Sequence, residues 1–293
     1  MSRSEAVADT LILSALYVYP IKSAGGIALD RALLEPRGLR FDRRWMVIKA
    51  DGKLATQREF PKMRLIRVSL LPQTDPFFSL LVEAPGLAPL RVPRVPTGPL
   101  VHTQVWEDAT VALRVSPEAS QWFSELLVPG CELLYMPDDA DRAQSNKPFS
   151  SLLSFADGNP FHLVSEASLA DLNARLDRSV GPAVFRPNVV VRGGAAYAED
   201  FWRRIRIGDS EFLVVESCAR CSVLNVAVAG EPPEARMGAE PLRTLARYRR
   251  RGASVPFGQN MLQGEALFRP GRWLEVGAPV TVCEVGTTPN PSY

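Results

Sequence analysis

Hydrophobic and polar positions alternate over short distances through the first half of the chain. Leu11 to Tyr19 is an apolar run of one strand's length, and Ile27 to Leu34 alternates loosely before the turn Glu35-Pro36-Arg37-Gly38. Trp45 to Lys49 predicts a further strand, and Asp51-Gly52 ahead of Leu54 is a hairpin signal. Leu65 to Leu71, Phe78 to Val82, Val101 to Trp106 and Thr110 to Val115 continue the pattern, the last two joined through Glu107-Asp108. Five prolines between Pro85 and Pro99 exclude a helix or a central strand from that stretch. Many short strands with regular turns predict a barrel or sandwich. One helix closes this half. Ser116 is its N-cap, Pro117 its first position and Glu118 its first-turn acid, and Trp122, Phe123 and Leu126 share one face. Cys131 to Met136 reads as a returning strand.

From Asp138 to Asn159 the chain is polar, which predicts a long loop or a domain boundary. Beyond it, Phe161 to Val164 reads as a strand leading into a helix with Ser165 as N-cap and Leu169, Leu172 and Leu176 as its buried stripe. Val189 to Val191, Phe212 to Val215 and Val280 to Val282 are strand candidates, and Pro241 to Tyr248 opens a helix. Gly286 to Tyr293 carries no packing signal. The fold class expected is therefore α+β and β-rich, in two units over residues 1–140 and 141–293.

With 46% hydrophobic and 23% charged residues among 293, the chain is ordinary for a globular protein and not for a disordered one. A net charge of +2 argues against nucleic acid as the main partner. The start, MSRSEAVADTLILSALYVYP, has acids ahead of its apolar run and no signal-peptide cleavage site. No run approaches the ~18–20 apolar residues that span a bilayer. The expectation is a cytoplasmic protein without a membrane partner. Only five of the 34 basic residues are lysines, so Lys22 stands out, and guanidinium is the better fork for phosphate and carboxylate.

Two histidines, His102 and His162, exclude a three-imidazole metal site, and each reads as structural. Of four cysteines, Cys218 and Cys221 form a C-x-x-C pair after the apolar strand FLVVES. Arg220 between them would favour thiolate, the ligand for a soft or high-valent metal. Two small buried residues at a strand end fit the same spacing. Zinc lacks a second pair, and a thioredoxin-type motif should open a helix, whereas SVLNVAVAG reads as β-rich. Tyr19-Pro20-Ile21-Lys22-Ser23-Ala24-Gly25-Gly26 could cradle a phosphate with backbone amides, Lys22 and Ser23, although it is not a P-loop. Arg40, Arg43 and Arg44 before a strand read as a solvated face with a surface salt bridge, whereas Arg186 and Asn188 before VVV read either as a turn with a salt bridge or as a fork and an amide aimed at one ligand. The run Arg247 to Arg251 reads as a solvated face, or as a dock for an acidic redox partner.

Together these segments resemble a known family. LYVYPIKSAGGIALDRALLEPRGLRFDRRWMVI is similar to the MOSC N-terminal β-barrel domain, and FHLVSEASLADLNARL, FRPNVVVRG, YAEDFWRRIRIGD, CARC and VPFGQNM resemble the MOSC domain, in the same order over about residues 11 to 283. The chain resembles in particular the mitochondrial amidoxime-reducing components and their bacterial counterparts. This resemblance implies an N-terminal β-barrel-like domain plus a MOSC β-barrel domain with a few peripheral helices. It also implies a molybdenum cofactor (molybdopterin carrying molybdenum) in the cleft between them, and reduction of small N-hydroxylated substrates by oxygen-atom removal. Within the resemblance, Cys221 is the molybdenum ligand and catalytic centre. Lys22, Ser23, Arg43, Arg58, Arg186 and Asn188 hold the cofactor. Electrons are expected from a separate ferredoxin- or cytochrome-type protein, since the chain has no iron–sulfur cysteine pattern. The alternative is a cofactor-binding, carrier or cysteine-persulfide protein that reduces nothing. This sequence departs from the family at Ala219, where a serine is usual. It departs again after Cys221, where a Thr-Thr-Val-Asp-Pro-like run is replaced and the threonine positions are Leu224 and Asn225.

Overall fold

The computed structural model describes residues 10–142, 151–226, 238–263 and 267–292. The period-two segments form strands. In the first half these are β1 (Ile12–Val18), β2 (Ile27–Leu29), β3 (Arg31–Glu35), β4 (Gly38–Leu39), β5 (Trp45–Ile48), β6 (Arg67–Leu70), β7 (Phe78–Glu83), β8 (Leu90–Pro93), β9 (Leu100–Val105) and β10 (Asp108–Arg114). Helix α1 (Pro117–Leu126) and β11 (Glu132–Tyr135) complete this half. In the second half, β12 (Phe161–Ser165), α2 (Glu166–Asn173), β13 (Val189–Arg192), β14 (Trp202–Ile207), β15 (Ser210–Ala219), α3 (Leu242–Arg249), β16 (Pro256–Leu262), β17 (Trp273–Glu275) and β18 (Val280–Val285) follow. This is the β-rich α+β class that the patterning predicts.

Strands β18-β14-β15-β16-β12-β13-β1-β2 form one eight-stranded sheet. Its single parallel pair, β12 with β13, needs a crossover, and α2 supplies it. The sheet curls: Ile12 bridges Pro279, and Val280 N donates to the Leu11 carbonyl, so the start of β18 returns to β1. Smaller sheets are β5-β11-β10-β9, β17-β3-β4 and β6-β7-β8. The proline-rich stretch contributes β8 at an edge, where missing N–H donors cost no ladder bond. Ser116 caps α1 as the sequence implies, its Oγ accepting from Ala119 N at 3.2 Å.

Strands β1 and β2 come early in the chain but belong to the sheet of the second half. Leu13, Leu16 and Val18 share a core with Phe161, Val189, Ile205 and Phe212. A separate core forms around Trp45, Val47, Phe123 and Leu133. The two halves are thereby interlocked beneath the cleft described below.

Two expectations are corrected. Ile27 to Leu34 is two strands, because the chain turns at Asp30 to pair β2 with β1 and β3 with β17. The tail after Gly286 does pack. Asn290 is buried, donating from its backbone N to the Asp200 carbonyl at 2.7 Å and from Nδ2 to the Trp202 carbonyl at 3.0 Å. Hydrophobicity could not report this, since the tail docks through hydrogen bonds.

Glu199, in a 3-10 turn ahead of β14, is 1% exposed. Burial pushes its carboxyl up to about 7, against the Ser168 hydroxyl, which donates to Oε1 at 2.6 Å. Oε2 is buried without a hydrogen-bond partner. The folded chain therefore holds this proton more tightly than the unfolded chain, whose carboxyl titrates near 4.5. Its contribution to stability is complete below about pH 4.5 and is lost as pH rises through about 7. Glu199→Gln should flatten this part of the stability–pH curve and raise unfolding free energy at pH 8 by about 1–3 kcal/mol. Urea unfolding at pH 5 and pH 8 measures it, and identical pH dependence in both proteins would contradict the assignment.

Candidate functional site

The interlocked halves leave a cleft of about 200 Å³ whose lining includes Lys22, Ser23, Arg43, Arg58, Arg186, Asn188 and Cys221. Every residue that the sequence singled out for cofactor or metal is therefore brought to one place. Ser23, Arg43, Arg186 and Trp106 all line it with left-handed backbone, at φ 68°, 49°, 54° and 57°. Each such conformation costs ~1–2 kcal/mol in a non-glycine residue, and such strain gathers where a site dictates the geometry.

Lys22 follows β1 and is buried, with Nζ donating to the Phe155 carbonyl at 2.8 Å and to Asp157 Oδ1 at 2.5 Å. Burial pushes its pKa down, against the attraction of Asp157. The amides expected to cradle a phosphate are in part otherwise engaged. Lys22 N, Ala24 N and Gly25 N donate to the carbonyls of Trp45, Ile21 and Ile66. The loop instead presents the Lys22 and Ser23 side chains, and Gln57 Nε2 fixes it by donating to the Ser23 carbonyl at 2.7 Å.

Arg43 and Arg186 lie over the Tyr19 ring, at 4.5 and 4.2 Å from its centroid. Arg43 is held by Asp42 at 2.5 Å and by Asn188 Oδ1 at 3.2 Å. Asn188 is 1% exposed, and its amide also accepts from His162 N and donates to the Tyr17 carbonyl. It thus orients Arg43 more than it reaches outward. Burial, with Arg43 close by, pushes the Arg186 pKa down to about 10. An anion in the cleft would relieve that repulsion. The stack requires a glycine at position 26, where a Cβ would overlap Cε1 and Cδ1 of Tyr19. Gly26→Ala should displace the ring, loosen both arginines and lower the thermal midpoint by several degrees, corresponding to about 1–3 kcal/mol. An unchanged midpoint would contradict this packing.

Cys218 lies on β15, and Cys221 just beyond its end caps a 3-10 turn over Ser222–Asn225. The β-rich reading of this stretch is corrected: Leu224 N closes the turn onto the Cys221 carbonyl at 3.1 Å, and Leu224 is buried in a core with Phe185 and Phe257. Residues 227–237 lie outside the described residues. Cys221 is exposed to the cleft. Arg220 Nη1 donates to Cys218 Sγ at 2.9 Å, yet burial outweighs it and pushes the Cys218 thiol up. At Cys218, Arg220 therefore does not produce the thiolate that the sequence suggested.

Several lining residues were not singled out by sequence. Trp106 occupies the β9–β10 turn, its indole N–H donating to Asp157 Oδ1 at 2.8 Å and Arg58 lying over its ring at 5.0 Å. A large aromatic at a tight turn, Trp106 beside Glu107-Asp108, was the available signal, and the structure leaves it 40% exposed. His162, read as structural, also lines the cleft. Burial, with Arg220 and Arg43, drives its pKa well down, so its ring is neutral and Nε2 can accept from Arg220 at 3.2 Å. His102 is exposed on β9 and outside the cleft. In the basic run, Arg249 and Arg251 are bound to Asp200 at 2.7 and 2.6 Å, which leaves less of it for a partner than a solvated face would.

Residues 10–129 match the MOSC N-terminal beta barrel domain and residues 151–281 the MOSC domain. The chain is 34% identical over 284 residues to mitochondrial amidoxime-reducing component 1 of Mus musculus, covering 90% of this chain and 80% of that protein. The chain belongs to the MOSC family of amidoxime-reducing components. It is likewise 34% identical over 271 residues to mitochondrial amidoxime reducing component 2 of Rattus norvegicus, covering 87% of this chain and 77% of that one. A molybdenum cofactor sulfurase of Oryza sativa subsp. japonica is 28% identical over 95% of this chain, but the match spans 36% of that protein. In this MOSC protein no helix among the described residues is long and apolar enough to cross a membrane.

Proposed function

We propose that this MOSC protein is a molybdenum-cofactor-dependent oxidoreductase. It removes the oxygen atom of small N-hydroxylated compounds (amidoximes, hydroxylamines, N-oxides), with electrons from a separate donor protein. For an amidoxime, N–OH plus two electrons and two protons gives N–H and water. The observation that carries the reading is the chemistry of the cleft. Five cations, Lys22, Arg43, Arg58, Arg186 and Arg220, line it together with the open sulfur of Cys221. Such a set suits a dianionic phosphate and a pterin edge. Among the described residues no three His, Cys, Asp or Glu side chains group to hold a metal, so a metal at Cys221 would take its other ligands from an organic cofactor.

When bound, the cofactor supplies the two-electron metal centre. The protein's part is to bind and orient. Lys22, Ser23 and Arg186 would hold the cofactor, Asp42 and Asn188 keep Arg43 aimed at it, Arg58 closes the rim, and Cys221 offers the metal a ligand. The division into residues 1–140 and 141–293, with the cofactor between them, is part of the same proposal. Likeness to the sulfurase and to the amidoxime-reducing components leaves one rival, a cofactor or persulfide carrier. Molybdenum-loaded protein supplied with an artificial electron donor should reduce benzamidoxime to benzamidine. Loaded protein that binds cofactor yet yields no benzamidine would favour the carrier.

A further inference from the structure

Asp157 is the one acid among the described residues lining a cleft that holds five cations. It is not buried as a mere counter-ion, for its side chain is 72% exposed while that of Lys22 is 8% exposed. Both of its hydrogen bonds, from Lys22 Nζ and Trp106 Nε1, fall on Oδ1. Oδ2 has no hydrogen bond among the described residues, and Asp157 lines the cleft. Lys22 and the indole fix the carboxylate, so Oδ2 is a held acceptor rather than a mobile one. Arg142, whose side chain is fully buried, anchors this segment. It donates to the carbonyls of Ser154 and Ala156 and pairs with Asp108 on β10 at 2.8 Å. Asp157 and the hairpin carrying Trp106 are thereby tied into one unit. The indole of Trp106, whose N–H is bonded to Oδ1, is an exposed aromatic surface lining the same cleft.

We infer that Asp157 and Trp106 together select the substrate, Oδ2 accepting an N–H of an amidoxime's amino group while the indole packs against a planar ring attached to it. This rests on the reductase reading and narrows it to N-hydroxylated amidines carrying an aromatic ring. A fixed carboxylate rewards an N–H donor, and an aromatic wall rewards a planar apolar substituent. Aliphatic amidoximes lack the second group, and N,N-dialkylated ones lack the first.

The test measures binding without an electron donor, by calorimetry on the molybdenum-loaded full chain. The three ligands are benzamidoxime, acetamidoxime and N,N-dimethylbenzamidoxime. The wild type should bind benzamidoxime about fivefold or more tighter than acetamidoxime and about tenfold or more tighter than the dimethyl compound. Trp106→Ala should remove the first preference and keep most of the second, with Trp106→Phe restoring part of the first. Asp157→Ala should remove the second. Because Asp157 also holds Lys22, the readout is the ratio between ligands within one variant, with molybdenum content measured alongside. A wild type without these preferences, or either alanine variant keeping its ratio within about twofold, would overturn the inference. Benzamidoxime turnover with an electron donor tests the reductase reading separately. It can fail while the binding ratios hold, and the reverse.

Discussion

Cys221→Ala should abolish reduction of N-hydroxylated substrates while leaving the fold intact. The side chain is exposed at the end of β15, and no described hydrogen bond of its sulfur holds the surrounding turn. Removing it deletes neither core volume nor a structural contact. The backbone features of the turn survive, including the bond from Leu224 N to the carbonyl of residue 221. Activity should fall by about three orders of magnitude or more, because the metal would lose its one protein ligand and with it the coordination the reaction needs. The thermal midpoint of the cofactor-free chain should change by no more than about 1 °C, as for a surface substitution outside any network. Cys218→Ala is the internal control. Its sulfur is engaged by Arg220, so that variant should retain measurable turnover. Full activity in Cys221→Ala would remove this sulfur from the mechanism.

Asp200→Ala should destabilise the fold by about 3–5 kcal/mol, the usual cost of stripping one partner from a buried ion pair. Asp200 is 2% exposed. Its carboxylate accepts from Arg249 on both oxygens at 3.0 and 2.7 Å, from Arg251 at 2.6 Å and from Gln259 Nε2 at 2.9 Å. Arg249 comes from α3, Gln259 from β16, and the Asp200 carbonyl holds the tail through Asn290 N. Removing the carboxylate leaves Arg249, 10% exposed, without its counter-charge and unties α3, Arg251 and β16 from one another, while the backbone bond to the tail survives. Gln259 also accepts from Ser217 Oγ at 3.3 Å on the strand that leads to Cys221, so some loosening should reach the site. Denaturant unfolding of the two proteins gives the difference directly. A loss below about 1 kcal/mol would mean that the cluster is strained rather than stabilising.

What the sequence revealed follows the physics of each signal. Period-two patterning gave β5, β7, β9 and β10 nearly to their ends, and cap chemistry gave α1 because Ser-Pro-Glu is a local code. The seven candidate site residues came to one cleft because short motifs survive as strings. Long-range pairing left no such trace. Lys22 and Asp157 meet across 135 positions, carried by buried arginines whose partners are backbone carbonyls, and a carbonyl has no sequence signature. Strands β14 and β16 are interrupted by arginine, glutamine and asparagine, so hydrophobicity understates them. Gln259 and Asn260 on β16 instead engage Asp200 and Glu216. The tail was illegible for the same reason. Leu224 was visible in the sequence as a departure from the run expected after Cys221, but its turn to the core was not.

The central claim is that this cleft holds a molybdenum-bearing pterin through the Cys221 sulfur and its ring of cations. Molybdenum and pterin assayed on the same purified chain, produced in a host that makes the cofactor and is supplied with molybdate, test it most directly. The two should be present in equal amounts in the wild type, with both sharply reduced when Lys22 and Arg186 are replaced together by alanine. A wild-type chain that is folded, made under those conditions and free of both would contradict it.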